Sequence, residues 1–341
     1  MTKALHLLLT AMAALCLGSQ ALAATTIKIA TIVPEGTGWM TDMRAAAAEI
    51  EERTEGRVKF KLYAGGIQGT DAQVLRKMRI GQLHGGAFTN GGMNLFHPDA
   101  EVYGLPMMFR DLDEIRYVRE RLDAELHRRL EEAGYENFGF AGGGLAYLLS
   151  RKPIANRADA QGLKIWIPEG DLVARGAANA LGIAPVALPP TDVLTGLQTQ
   201  LIDTVMGPPV GVIVMQWHTA MTHITDLPIA YTYATLIIDQ RVFGKLSADD
   251  QAIVTEVMQR VYRGFDERNA REDREAFDAL LADGIQLVEV NPEEQQQWRE
   301  LIRASNLENA AEVGMDLALV ARIDCYLAAY RAGSDDAHCA P

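Results

Sequence analysis

Between Gly162 and Pro209 short apolar runs alternate with helical repeats. Leu163, Ile165 and Ile167 alternate with Lys164 and Trp166, the period of a strand whose apolar three face a core while Trp166 points the other way. Pro168 ends that strand. Val173, Ala177, Ala180 and Leu181 then recur at helical spacing from Asp171, and the helix stops at Gly182, a residue suited to a left-handed cap. A second strand is predicted over 185–188, a short helix capped by Thr191 or Asp192 carries Val193, Leu194 and Leu197, and a third strand covers 201–206 before Pro208 and Pro209. In a sheet of strand-helix units, ligands sit beyond the carboxyl ends of the strands. Those ends carry Trp166, Glu169, Pro189, Pro190, Met206 and Gly207.

The flanking chain repeats the alternation. A strand is predicted over 27–32, and Thr37-Gly38-Trp39 opens a helix with Met40, Met43, Ala46, Ala47 and Ile50 on one face. Val58, Phe60 and Leu62 alternate with Lys59, Lys61 and Tyr63; Gly65-Gly66 and a cap at Thr70 or Asp71 lead into a helix bearing Val74, Leu75 and Met78. The glycine-rich run from His84 to Pro98 lets backbone approach a ligand closely. Strands are predicted over 138–141 and 147–150, and the three glycines between them, Gly142 to Gly144, read as a hinge or an ordinary loop. Residues 210–217 read as helix and 235–239 as a strand. From Ser247 to about Ala282 a stripe from Ile253 to Phe265 and another at Phe277, Leu280 and Leu281 flank a stretch that is polar on every face. A helix apolar at both ends and polar in the middle bridges two bodies, and at this length it spans roughly 50 Å; two helices with a loop are the alternative.

Lys3, an apolar run and Ala21-Leu22-Ala23 have the layout of a cleaved secretory leader over residues 1–23, and no other segment is apolar enough to cross a bilayer. The product is expected to be exported and soluble. The remaining 318 of the 341 residues exceed one typical core and favour two lobes. Without Lys3, 31 basic residues face 45 acidic ones, a net charge of −14 that argues against nucleic acid as partner. Cys325 and Cys339 survive cleavage; in an oxidising compartment they can pair, and separation alone leaves two free thiols as the alternative.

"GLKIWIPEGD" followed by "ALGIAPVALPPTDVLTGLQTQLIDTVMGPP" resembles the signature region of the periplasmic substrate-binding proteins of TRAP transporters, the DctP family. "TEGRVKFKLYAGGIQGTDAQVLRKMRIGQL" and "VYGLPMMFRDLDEIRYV" are two further blocks similar to that family. The resemblance implies an α/β fold of two lobes, each a mixed sheet flanked by helices, joined by hinge strands and a long bridging helix. It implies closure on a small organic solute and delivery to small and large TRAP membrane permease subunits, in the periplasm, without a cofactor. The lobes are expected over 24–143 with about 227–265, and over 144–226 with about 266–341.

Residue by residue, the resemblance places Trp166 where the family carries its carboxylate-anchoring arginine, Leu145 or a neighbour where a second arginine is frequent, Gly207 in place of an asparagine and Pro190 in place of an aromatic. The candidate ligand-binding set is Trp39, Gln68, Thr89, Asn90, Leu145, Tyr147, Trp166, Glu169, Pro190, Met206 and Gly207. An indole offers one donor and a large apolar face, and a carboxylate buried against it without a counter-charge costs several kcal/mol. A neutral, aromatic or apolar, or cationic ligand is therefore expected, with Glu169 as counter-charge in the last case. The alternatives are an organic acid held by a relocated base such as Arg151 or Arg175, and presentation of the solute to a membrane sensor. An enzyme is not expected. His84-Gly85-Gly86 resembles an esterase oxyanion loop only faintly, no G-x-S-x-G occurs, and His218 and His223 are too far apart for one helical face of a metal site.

Overall fold

The computed structural model describes residues 24–334 and 337–339, and the expected leader lies outside them. Strand β1 (Thr25–Thr31) pairs in parallel with β2 (Val58–Tyr63) and β3 (Gly85–Thr89), with helices α1 (Gly38–Arg53) and α2 (Asp71–Arg79) as crossovers. Both helices start on side-chain caps: the Thr37 hydroxyl accepts from the Met40 N–H, and Thr70 with Gln73 forms a capping box. A short helix α3 (Asn90–Met93) follows β3, and α4 (Leu112–Glu132) leads through a tight turn into β4 (Tyr135–Asn137).

Two ten-residue strands tie the halves of the molecule together. β5 (Ala141–Ser150) pairs through its first half with β10 (Ala230–Asp239), and through its second half with β8 (Thr204–Gly207) and β9 (His223–Thr225). β10 in turn pairs antiparallel with β3 and β4. The second half is completed by β6 (Trp166–Pro168) paired in parallel with β7 (Val186–Leu188), by α5 (Leu172–Ala180), α6 (Val193–Gln198) and α7 (Pro209–Val214), and by β11 (Gln286–Val288) on β9. After the short α8 (Gln240–Phe243) comes α9 (Ala248–Ala282), then α10 (Pro292–Glu312) and α11 (Leu317–Ala332).

The glycines at 142–144 do not form a loop. They lie inside β5, and the space on their side-chain side is taken. A Cβ at Gly142 would strike the Tyr231 hydroxyl, one at Gly143 would come within 2.8 Å of the Thr232 hydroxyl, and one at Gly144 would run into the Asp273 carboxylate. Opposite them the register slips between Thr232 and Tyr233, leaving Gly143 as the extra residue of a bulge.

The long helix is continuous over 35 residues, so the alternative of two helices is excluded. Val254, Val257, Met258, Tyr262 and Phe265 join the core built by β1, α1 and β2, while Leu280 and Phe277 join that of β8 and α6. Its polar middle is not merely solvated. Asp266, Asn269 and Asp273 share one face at i, i+3, i+7 and meet the glycine strand: Asp266 accepts from the Gly142 N–H at 2.6 Å and Asn269 donates to the Gly142 carbonyl at 2.6 Å.

The C-terminal helix departs from the division drawn from the sequence, which put everything after about 266 in the second lobe. Leu319, Val320, Ile323 and Leu327 of α11 share a core with Ile115, Val118, Leu122 and Leu126 of α4 and with Phe88 of β3. Complementary apolar stripes drive this, and Arg331 fixes it by donating to both oxygens of the buried Glu114 at 2.7 Å. Cys325 and Cys339 are joined by a disulfide across a separation of 14 residues. A loop of that size is worth about 3 kcal/mol in the chain-entropy account, and less at a chain end. Replacing both cysteines by serine is expected to lower stability by about 2 kcal/mol, and urea melts with and without reductant check it.

Candidate functional site

The carboxyl ends of β1, β2 and β3 face those of β6 and β7, and the two sets touch. The Cβ position of Gly66 lies 2.8 Å from the Thr191 methyl, and that of Gly91 lies 3.0 Å from Asp171 Cβ. The glycine-rich run was expected to admit a ligand; at Gly91 and Gly92 it admits the side chains of Asp171 and Asp71 instead. Beyond the ends of β1 and β3 lies a cavity of about 10 Å³ whose lining includes Thr31, Ile32, Gly66, Gln68, Asp71 and Phe88. Among its described lining residues Asp71 alone is charged, and burial pushes its carboxyl up to about 6.

A second pair of acids joins the two sides. Glu101, in the turn Pro98–Gly104, is buried, and its carboxyl feels the charge of Asp171, the N-cap of α5. Burial and then the Asp171 charge raise Glu101 well above the usual carboxylate range. Burial raises Asp171 to about 6 although the Ala174 and Val173 N–H groups oppose the shift. Oε2 of Glu101 receives no N–H or hydroxyl donor, and two neighbouring buried carboxyls disfavour ionisation of both.

Trp166 is placed differently from the expectation. It is only 4% exposed and packs among Val193, Leu197, Val212 and Trp217, its ring 4.9 Å from that of Trp217 and nearly edge-on. Its indole N–H donates to the Leu188 carbonyl at 2.9 Å. The alternation around it is real, but β6 is covered on both faces: Ile165 enters one core and Trp166 the other. Period two here separates two cores, not core from cleft. The regular strand is also shorter than expected, three residues, with Ile165 held by a single bridge to Thr204.

Of the other candidates, Tyr147 and Gly207 are ladder partners, as are Leu148 and Met206 on the opposite face of the sheet, whereas Leu145 pairs with Tyr231 of β10. The Tyr147 ring leans on Phe277 at 5.2 Å, and burial, then the charges of Asp273 and Asp226, push its hydroxyl up to about 12. Glu169 is exposed, its N–H donating to the Leu188 carbonyl, and Pro190 follows on the same rim. Gln68 lines the cavity, its side-chain carbonyl accepting from the Lys77 ammonium at 2.9 Å. Thr89 is exposed at the end of β3. Asn90 has both ends of its amide engaged, donating to the Tyr231 carbonyl at 2.7 Å and accepting from the Tyr233 N–H at 3.0 Å, which braces β10 opposite the bulge of β5. Trp39 stacks on Phe265 of α9 at 5.8 Å, away from this grouping of strand ends in its contacts.

Sequence reasoning missed the acids. Asp71 was read only as a possible cap, Asp171 only as the start of a helical segment and Glu101 not at all, and nothing local marks Glu101 and Asp171 as partners. Arg119 was missed as well. It is 12% exposed and donates to Asp123, to Asp266 at 2.8 Å, to the Tyr231 hydroxyl at 3.1 Å and to the Phe140 carbonyl at 2.6 Å, locking α4 and α9 to the two crossing strands.

Residues 29–312 match the family described as Bacterial extracellular solute-binding protein, family 7, DctP. A solute-binding protein of Sulfitobacter sp. (strain NAS-14.1) is 25% identical over 310 residues, covering 89% of this chain and 92% of the relative. The C4-dicarboxylate-binding periplasmic protein DctP of Rhodobacter capsulatus is 25% identical over 295 residues, covering 84% and 86%. A TRAP periplasmic solute-binding protein from Shewanella oneidensis, solved with bound succinate, superposes with a TM-score of 0.80 at 21% identity, covering 90% of this chain and 99% of that one. This fold is thus shared with a TRAP solute-binding protein, and the chain belongs to the DctP family of TRAP periplasmic solute-binding proteins.

Proposed function

We propose that this protein is the extracytoplasmic receptor of a TRAP-type transporter and that its solute is not anchored through a carboxylate in the family manner. One observation carries the second part. Where the resemblance expects a guanidinium, the only donor of Trp166 is already spent on the Leu188 carbonyl. An arginine there would hold a carboxylate by two parallel hydrogen bonds; an indole so engaged offers none. The acids support the same reading, because the charged groups gathered at the facing strand ends are Asp71, Glu101 and Asp171. Asp71 is a better counter-charge than the exposed Glu169 for a cationic solute.

The competing reading, an organic acid, draws on the succinate of the Shewanella protein and the C4-dicarboxylate of the Rhodobacter one. It needs a base, and neither candidate favours it. Arg175 is exposed on α5, and Arg151 donates to the Leu197 carbonyl beside a groove formed with Lys152, Leu163, Lys164, Gln200 and Asp203. The lobes in this reading comprise 24–143 with about 227–265, joined by α11, and 144–226 with the chain from about 266 through α10. Export by a leader cleaved before Ala24 is read from the N-terminal mass of the mature protein. Partnership with membrane permease subunits, as against a sensor, is read from reconstituted uptake.

A thermal-shift screen of the mature protein decides the solute class. Amines and neutral aromatic compounds are expected to include ligands that raise the melting temperature by about 4 °C at a hundredfold excess over their dissociation constant, while succinate and galacturonate leave it unmoved. Sub-millimolar succinate binding that persists in Trp166→Phe would sink the proposal.

A further inference from the structure

We propose that His127, Glu131 and Glu136, at the outer corner of the first lobe, form a binding site for one divalent ion of the zinc type. His127 and Glu131 lie one turn apart on the same face of α4. The chain then turns through Gly134, at φ +93°, and β4 brings Glu136 back beneath that face, pinned opposite Ile238 of β10. One ligand atom from each of the three lies within 4.8 Å of the others. All three side chains are half-buried, which leaves room for the small rotations that draw donors onto an ion.

The histidine is held as a ligand would be. Its Nδ1 lies 2.6 Å from Oδ1 of Asn137, a residue with no exposed surface. The same amide turns its nitrogen to the His127 carbonyl, which fixes Oδ1 as the acceptor and therefore puts the ring proton on Nδ1. In the neutral ring Nε2 then carries the lone pair, and it lies 3.3 Å from Glu131 Oε1 on the carboxylate side. Donation of the distal ring N–H to a fixed oxygen is the usual outer support of a metal-bound imidazole.

The local charge points the same way. Glu131 and Glu136 set two carboxylates side by side, with the His127 ring as the third member of the group. Two acids meet at the last turn of α4, where unpaired carbonyls already make the helix end negative. A divalent cation relieves both repulsions at once. One imidazole nitrogen and two carboxylate oxygens, with water as the fourth donor, suit tetrahedral zinc; calcium needs six to eight oxygens, more than these side chains provide. The ion would staple the end of α4 to β4, independently of the solute cleft.

The test uses the mature, disulfide-bonded protein stripped with chelator and titrated with zinc alone, followed by calorimetry, and with cobalt, followed by its visible absorption. Saturation at one ion per chain is expected, with affinity weakened at least ~10-fold by Glu131→Gln and by Glu136→Gln, and unchanged by His338→Ala in the tail. Glutamine keeps the shape of each side chain, so folding is not at stake. Absence of binding at about 100 μM zinc, far weaker than three-ligand sites with a supporting shell bind it, overturns the proposal. So does full-affinity binding in the Glu131→Gln/Glu136→Gln double variant; a histidine-glutamate ion pair without metal affinity is then what remains.

Discussion

Gly144→Ala is expected to lower the stability of the mature protein by about 3 kcal/mol, from two terms that can be measured apart. The residue sits at φ +100°, outside even the left-handed well that other residues visit, which alone costs about 1–2 kcal/mol. The added methyl would also enter the carboxylate of Asp273, and that side chain has nowhere easy to go. It is 6% exposed, reached by the Leu145 N–H and, at 3.4 Å, by the Val210 N–H, so one acid of the long helix holds both the crossing strand and the start of α7. In an Asp273→Ala background the steric term disappears and only the backbone strain remains. A double-mutant cycle on urea midpoints should therefore give a coupling of about 1–2 kcal/mol. Additive effects, or a Gly144→Ala variant within about 0.5 kcal/mol of the parent, would mean that this strand is not packed around that acid.

The same contact marks how far the sequence can be read. The long helix was legible because apolar stripes at its two ends differ from its middle, and a change of pattern along one helix needs no knowledge of what lies opposite. The purpose of the middle was not legible. Asp266, Asn269 and Asp273 have the spacing of one face, but only the fold reveals that the face meets a strand of three glycines. Those glycines were read as a hinge or an ordinary loop, and the competing cause of glycine in a strand, close approach of a neighbour, leaves no local trace. The surroundings of Trp166 were not legible for a related reason. Alternation says that neighbours face opposite sides; it cannot say whether the far side holds a cleft or another core. The facing strand ends, by contrast, followed from the order of strands and helices, and the family resemblance rested on blocks of sequence that retained their shape. The buried acids were the least legible part, because pairing across two lobes is a property of closure and not of any segment.

Those acids set the expected response to pH, which runs against the common pattern of acid weakening. Asp71 and Asp171 are raised to about 6 and Asp273 to about 7, in each case chiefly by burial, and Glu101 is raised by burial and then by Asp171. Unfolded, such groups titrate near 4. Between about pH 4 and 7 the folded chain therefore holds protons that the unfolded chain has lost, and stability must rise as pH falls through that window. Asp239, Asp250 and Asp316 act in the opposite sense. Hydrogen bonds from Arg241, Arg57 and Arg129 hold them below the ordinary range, and their contribution is lost only below about pH 4. The maximum is thus expected near pH 5, with a gain on the order of 2–3 kcal/mol over pH 7.5 in urea melts. Asp171→Asn is the informative variant, since asparagine caps a helix as well as aspartate does but cannot titrate. It should make the rise between pH 7.5 and 5 shallower, with Asp71 and Asp273 still contributing, while leaving α5 intact. The Glu101–Asp171 pair joins the turn Pro98–Gly104 to the start of α5, so the proton it takes up on acidification should also strengthen that contact, a gain the variant loses. Stability that falls steadily from pH 7.5 to 5 would show that these carboxyls stay ionised in the folded chain.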